Sequence, residues 1–311
     1  MKILARYILI IFIVGISFAS FSGKQEKRKQ SNRITVVSGT NYYANTILAV
    51  KKLGGMRTFV QKGQKVGLLI NSDFEDKGTY VNPDVAIAVV KMCFDAGASE
   101  VVCLQYVMPE YWKRSTLYAQ NAEMLFRVHT IEKNRFPAKY DSITFVKLDS
   151  IPGAKAIKQL EVVRDLFTVD VFINVPIAKH HTIPLLTCAM KNLMGLNTRA
   201  SNVKFHLDGP SKNDPGFLGQ CLADMCKLRK PDLNVVDASE VLVTNGPSGP
   251  GKLKKFDKIV AGTDIVAVDA YCSTILGYLP EEVLPVQKGY ESGIGEMNLQ
   301  KVEIVEINQK K

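Results

Sequence analysis

Apolar and polar positions alternate along this chain with two periods. Short apolar runs of strand length recur at Arg33–Ser38, Lys65–Ile70, Glu100–Leu104, Ile143–Leu148, Val169–Asn174, Asp232–Asp237, Lys258–Ala261 and Val302–Ile307. Between them lie segments with helical spacing, and these carry local start and stop signals. Asn41–Leu53 is stopped by Gly54-Gly55. Asn82-Pro83-Asp84 combines a cap, a first-turn proline and an acid at the positive helix end, and Val85, Ala88, Val89, Met92 and Cys93 share one face before Gly97. Further helices are predicted at Ala154–Leu166, Gly219–Leu228 and Asp264–Leu276, the last capped by Thr263 and closed by Gly277. Pro109–Phe136 reads as helical with loops, and Asn197–Gly219 as a loop. Strands alternating with helices predict an α/β fold with a mainly parallel sheet and helices on both faces. Residues 33–311 are read as a single domain, with room for two sub-lobes.

The N-terminus breaks this pattern. Lys2 and Arg6 precede an almost wholly apolar Tyr7–Phe18, and Ser17 and Ala19 are small residues at cleavage-site spacing. Residues 1–19 are read as a signal peptide, with an uncleaved N-terminal anchor as the alternative. The apolar run is shorter than a spanning helix usually needs, roughly 20 residues. Residues 20–32 are polar and aperiodic, a disordered linker. The expected location is extracytoplasmic.

A net charge of +10 favours anionic ligands. The lysines are scattered, and no nucleic-acid-binding pattern is present, so no nucleic-acid partner is expected. None of the six cysteines forms a C-x-x-C pair, so no iron–sulfur cluster is expected.

The candidate chemistry is concentrated in Asn174–Gly195. Two of the four histidines, His180 and His181, sit there with Lys179 and Lys191, beyond an apolar strand, and His206 follows. Ligands of parallel α/β sheets bind beyond the carboxyl ends of strands. Thr182 and Pro184 are read as the start of a helix on which Thr187 and Lys191, four apart, share a face. His181 and Lys191 are the catalytic candidates. Lys179 and Thr187 are candidate ligand-binding residues, joined by Asn245, Gly246 and Gly249 of the shaped loop Thr244–Gly251. His206 and Asp269, an acid inside an otherwise apolar helix, are candidate ligands of a divalent metal; Asp264, in the first turn of that helix, reads as structural capping and Asp237 stays open. The expected function is an enzyme on a small anionic substrate, with His181 as acid/base and lysines holding the anion. The alternative is a non-catalytic anion- or metal-binding envelope protein.

Four stretches together carry a resemblance: the Asn82-Pro83 helix with its AGASEVV continuation, FINVPIAKHHTIPLLTCAMKNLMG, VVDASEVLVTNGPSGPG and AGTDIVAVDAYCSTILG. In that order they resemble the bacterial and archaeal family called domain of unknown function 362. The resemblance implies the fold, since the family has no generally established reaction. Many members carry ferredoxin-type cysteine motifs, which this chain lacks. A second, local similarity is to the nickel-pincer lactate racemases. There the spacing of His181, Lys191 and His206 is similar to that of a catalytic histidine, a cofactor-bearing lysine and a metal-binding histidine.

Overall fold

The computed structural model describes residues 32–131 and 138–309. The signal segment, nearly all of the linker, and part of the Pro109–Phe136 region lie outside them.

The chain opens with β1 (Arg33–Ser38) and α1 (Tyr42–Lys52), whose cap Asn41 accepts the Ala44 N–H. Then come β2 (Lys65–Ile70), α2 (Pro83–Ala96) and β3 (Glu100–Cys103). Asn82 caps α2 and Gly97 ends it at φ 101°, so this unit forms as its local signals dictate. Next are α3 (Pro109–Lys113), α4 (Tyr118–Phe126) and β4 (Val128–Thr130). A hairpin of β5 (Phe145–Leu148) and β6 (Leu160–Val163) precedes β7 (Val171–Val175). The site region follows: β8 (Lys179–His181), β9 (Leu185–Thr187), α5 (Ala189–Asn192) and α6 (Arg199–Leu207). The chain closes with α7 (Pro215–Leu228), β10 (Leu233–Leu242), β11 (Leu253–Gly262), α8 (Ile265–Ile275), α9 (Leu284–Glu291) and β12 (Glu303–Asn308).

Eight strands form one sheet in the order β12-β1-β11-β10-β7-β2-β3-β4. Only β11 runs against its two neighbours, so the sheet is mainly parallel, as the alternation of elements predicts. Two apolar cores sit on its opposite faces. Leu68, Ile70, Ile173 and Val175 pack with α1 and α2 on one side. Leu69 and Phe172 pack with α5, α7 and α8 on the other. The period-2 alternation of β2 and β7 thus feeds both layers.

Three expectations are corrected. The segment predicted as a helix at Ala154–Leu166 is instead a loop leading into β6. The buried Asp224 carboxylate accepts the Lys155, Ala156 and Ile157 N–H groups, which fixes the turn and leaves Val162 and Val163 to pair with β5. The segment Asn197–Gly219, expected to be a loop, contains α6, capped by Thr198, and the start of α7, capped by Asp214. The cap of α8 is Asp264, not Thr263: its carboxylate accepts the Val266 and Ala267 N–H groups at 2.9 and 3.0 Å.

Candidate functional site

β7 leaves the sheet at Val175, and the chain runs beside the middle of β10, where the Ala178 N–H donates to the Asp237 carbonyl at 2.9 Å. It then folds into the β8–β9 hairpin. Thr182 and Pro184 sit in the turn of this hairpin, so the helix expected there is absent and begins only at Ala189. Lys179 pairs with Thr187 and His181 with Leu185. Side chains two apart on a strand share a face. Lys179, His181 and the paired Thr187 therefore face the same way, and His180 faces the other. Thr187 and Lys191 do not share a helix; Lys191 arrives from α5 and His206 and Arg199 from α6.

These side chains line one cavity of about 450 Å3, with Phe74 on the opposite wall. Lys179 is fully buried. Its Nζ donates to the Thr79 carbonyl at 2.5 Å and lies 3.7 Å from the centre of the Phe74 ring. Burial, and secondarily the nearby Lys191 charge, lowers its pKa to about 7. Burial likewise lowers Lys191 to about 8; among the described residues its Nζ hydrogen-bonds only to the Met194 sulfur, at 3.0 Å. Neither ammonium is ion-paired with a carboxylate among the described residues, although Asp73 also lines the wall. The Thr187 hydroxyl is buried in this wall without a hydrogen-bond partner.

The two histidines of the cavity have opposite polarity. His181 Nδ1 accepts the Ile183 N–H at 3.1 Å, so the ring proton of the neutral imidazole sits on Nε2. Burial first, then Lys191 and His206, pushes its pKa down to about 2, so it is a neutral hydrogen-bond donor at pH 7. His206 Nδ1 lies 3.1 Å from the side-chain amide oxygen Oδ1 of Asn213, which can only accept, so Nδ1 donates. That leaves His206 Nε2 with a lone pair, and burial and Lys191 keep this ring neutral as well.

Residues 65–274 match the family described as domain of unknown function (DUF362), well over half of the chain. The chain belongs to this family. No curated protein matches it. Among solved structures, this DUF362 protein is similar to the lactate racemase apoprotein from Thermoanaerobacterium thermosaccharolyticum. That likeness has 10% identity and a TM-score of 0.47, and covers 78% of this chain and 56% of the other. A structural-genomics protein from Thermotoga maritima shows 12% identity and a TM-score of 0.37, over 76% and 60% of the two chains. The DUF362 chain thus spans less than two thirds of either protein. Likenesses at this level assign no residue roles.

The remaining candidates fall elsewhere in the DUF362 fold. Asn245, Gly246 and Gly249 stay out of the cavity wall; from their loop only Pro247 reaches it. The loop instead clamps the hairpin. The Gly246 N–H donates to His180 Nδ1 at 3.0 Å, and Thr182 Oγ1 donates to the Gly246 carbonyl at 2.8 Å. A Cβ on Gly246 would meet the His180 carbonyl oxygen at 1.8 Å, so only glycine fits there. Asp269 is separated from His206 in role. Its oxygens accept the Ala189 and Met190 N–H groups at 2.7 and 2.9 Å, where they orient the first turn of α5. No three His, Cys, Asp or Glu side chains converge among the described residues. His206 and Asp269 thus do not meet in a cluster of three such side chains among the described residues. The six cysteines are free and buried, with Cys188 against Cys272.

The sequence reading missed Arg199 and Phe74. Arg199 directly follows the helix cap Thr198, a readable signal for a side chain at a helix start. Phe74 carries no signal, because its role depends on a lysine about a hundred residues away. Among the described residues no helix is long and apolar enough to cross a membrane.

Proposed function

We propose that this DUF362 protein is an extracytoplasmic enzyme acting on a small anionic substrate. In this reading the anion sits between the Lys179 and Lys191 ammonium groups and takes a hydrogen bond from the Thr187 hydroxyl. His181 Nε2–H polarises an oxygen of the substrate, and His206 Nε2 accepts a proton. The tautomers refine the acid/base assignment: His181 serves as donor and His206 as base.

The observation that carries the reading is a buried and a half-buried lysine, neither ion-paired with a carboxylate among the described residues, beside an orphaned hydroxyl in one cavity. Unpaired buried charge is expensive, and an anion relieves it while raising both lysine pKa values. A divalent metal would enter this reading as a co-ligand through donors that the substrate brings. The test is a thermal-shift screen of acetate, lactate, pyruvate and phosphate against wild type and Lys191→Met. Wild type should be stabilised by at least one carboxylate, and the variant much less. Equal shifts in both proteins would refute the site. With a substrate in hand, His206→Ala should lower turnover by roughly 10²–10⁴-fold, the usual share of a general base. A binding protein without catalysis would show the same shifts and no turnover in wild type. Export itself predicts a mature N-terminus beginning after Ala19 on protein recovered from the cell envelope; an intact Met1 there would contradict cleavage.

A further inference from the structure

The two lysines differ in a way that bears on chemistry. Lys179 Nζ is committed: it is fixed on the Thr79 carbonyl and seated over the Phe74 ring. Among the described residues Lys191 Nζ has no oxygen partner; its one hydrogen-bonding contact there is the soft, weakly accepting sulfur of Met194 at 3.0 Å. The first amine is tied to an oxygen and a ring face, and the second is left open toward the cavity. An amine in an apolar pocket beside another cation loses its proton readily, which makes it a nucleophile at neutral pH. Burial in this cavity lowers Lys191 to about 8, so an appreciable fraction is the free amine near pH 7.

Amines of this kind attack carbonyl carbons. The cavity supplies what a carbonyl partner needs. His181 offers a neutral Nε2–H donor for the carbonyl oxygen, since its Nδ1 is occupied by the Ile183 N–H. The Lys179 cation and the unpartnered Thr187 hydroxyl offer a seat for a carboxylate. We infer that Lys191 forms an imine with a small oxo acid whose carboxylate is held by Lys179 and Thr187. This rests on the anion-site reading above and names the substrate class for it.

The step balances without an oxidant or reductant. The Nζ lone pair forms the N–C bond while the carbonyl π pair moves to oxygen, which takes one of the two amine protons. The nitrogen lone pair of this carbinolamine then expels the hydroxyl, which leaves as water with one proton taken from the medium. The product is a protonated imine carrying one positive charge. Its carbon becomes an electron sink for loss of a neighbouring proton or carboxylate, and His206 Nε2 is the base in the same cavity.

The experiment is reductive trapping on the full-length protein. The chain is incubated with pyruvate or levulinate and borohydride, and the adduct is located by intact mass and peptide mapping. Butanone serves as the carboxylate-free probe. The inference predicts one reduced adduct per chain, on Lys191, suppressed by excess acetate and at least tenfold weaker with butanone. Lys191→Met should abolish it. Lys191→Arg keeps the charge but not the nucleophile, so it should still be stabilised by acetate yet form no adduct; it also covers the case that the methionine variant fails to fold. An adduct on Lys179, labelling scattered over surface lysines, or none at all would overturn the imine. If acetate still stabilises the wild type in that event, the anion site survives without the covalent step. If neither acetate nor pyruvate shifts the melting temperature, both readings fall together.

Discussion

Two buried charge clusters lie at opposite ends of α5 and teach different lessons. At its start, Asp269 is nearly inaccessible, and both its oxygens accept backbone N–H groups of the first turn. Burial raises its pKa to about 6, against the pull of those bonds. Its hydrogen-bonding capacity is used within the fold. At the other end, Lys191 faces a cavity with Lys179, His181 and Thr187, and there the capacity is left over: two ammonium groups without carboxylates and a hydroxyl without a partner. A buried polar group that is satisfied supports architecture; one that is unsatisfied and beside a void awaits a ligand. The sequence presents both kinds alike, as isolated charges on apolar segments. That is why Asp269 reads there as a candidate metal ligand.

The comparison makes predictions of opposite sign. The largest is Asp269→Ala, which strands two buried N–H groups at the start of α5. It should lower stability by roughly 3–5 kcal/mol, read from the urea midpoint. A loss below about 1 kcal/mol would show that Asp269 is not the anchor of this helix.

The second concerns pH. Burial and the surrounding cations hold the His181 pKa at about 2, below an unfolded value near 6.5. The unfolded chain therefore takes up a proton that the folded chain refuses. The contribution is fully present above pH 6.5 and is lost as pH falls, by about 2 kcal/mol at pH 5. His181→Gln should remove this part of the acid sensitivity. A bound carboxylate should also reduce it, because the anion cancels the Lys191 field. An unaltered acid limb in the variant would place the titrating group elsewhere.

The third reverses the sign of the first. Lys191→Met replaces a half-buried, unpaired ammonium with an apolar group of similar length. The ligand-free protein should gain about 1–2 kcal/mol at pH 7, while carboxylate binding weakens at least tenfold. A destabilised variant would mean that the lysine has a structural partner after all.

The smallest effect is expected from Thr187→Val. Removing the orphaned hydroxyl should change stability by no more than about 0.5 kcal/mol. Carboxylate affinity should fall by roughly 5–10-fold, corresponding to one hydrogen bond of about 1 kcal/mol. Unchanged affinity in a calorimetric titration would remove Thr187 from the ligand.

What was legible in the sequence follows the range of the interactions. α2 could be read because its cap, first-turn proline and terminal glycine lie within its own sixteen or so residues, the length scale on which capping acts. The mainly parallel sheet was legible for the same reason, through apolar runs punctuated by turns. The Thr182–Pro184 turn misled because a hydroxyl followed two residues later by proline is also how a helix begins. What decides for a hairpin is the pairing of Lys179 with Thr187 and the clamp of Gly246 onto His180, and the latter joins segments far apart in the chain. The Thr244–Gly251 loop, read as ligand-binding, buttresses the hairpin and reaches the cavity only through Pro247, a contact between distant segments that no local signal carries. His181, Lys191 and His206 could be singled out because histidines are so few. Their polarity could not, because a tautomer depends on neighbours such as Asn213 and Ile183 that only the fold supplies.

The central claim is that the cavity's unpaired lysines await an anion. Its most direct test is calorimetric titration of the full-length protein with acetate, which has the carboxylate but no carbonyl to react, at pH 6 and pH 9. Lys179 and Lys191, with pKa values near 7 and 8, are largely charged at the first pH and largely neutral at the second. The account predicts one saturable site at pH 6, at least tenfold weaker at pH 9, and lost at both values in the Lys179→Met/Lys191→Met double variant. Binding that is equally tight at both pH values, or that persists in the folded double variant, would contradict it.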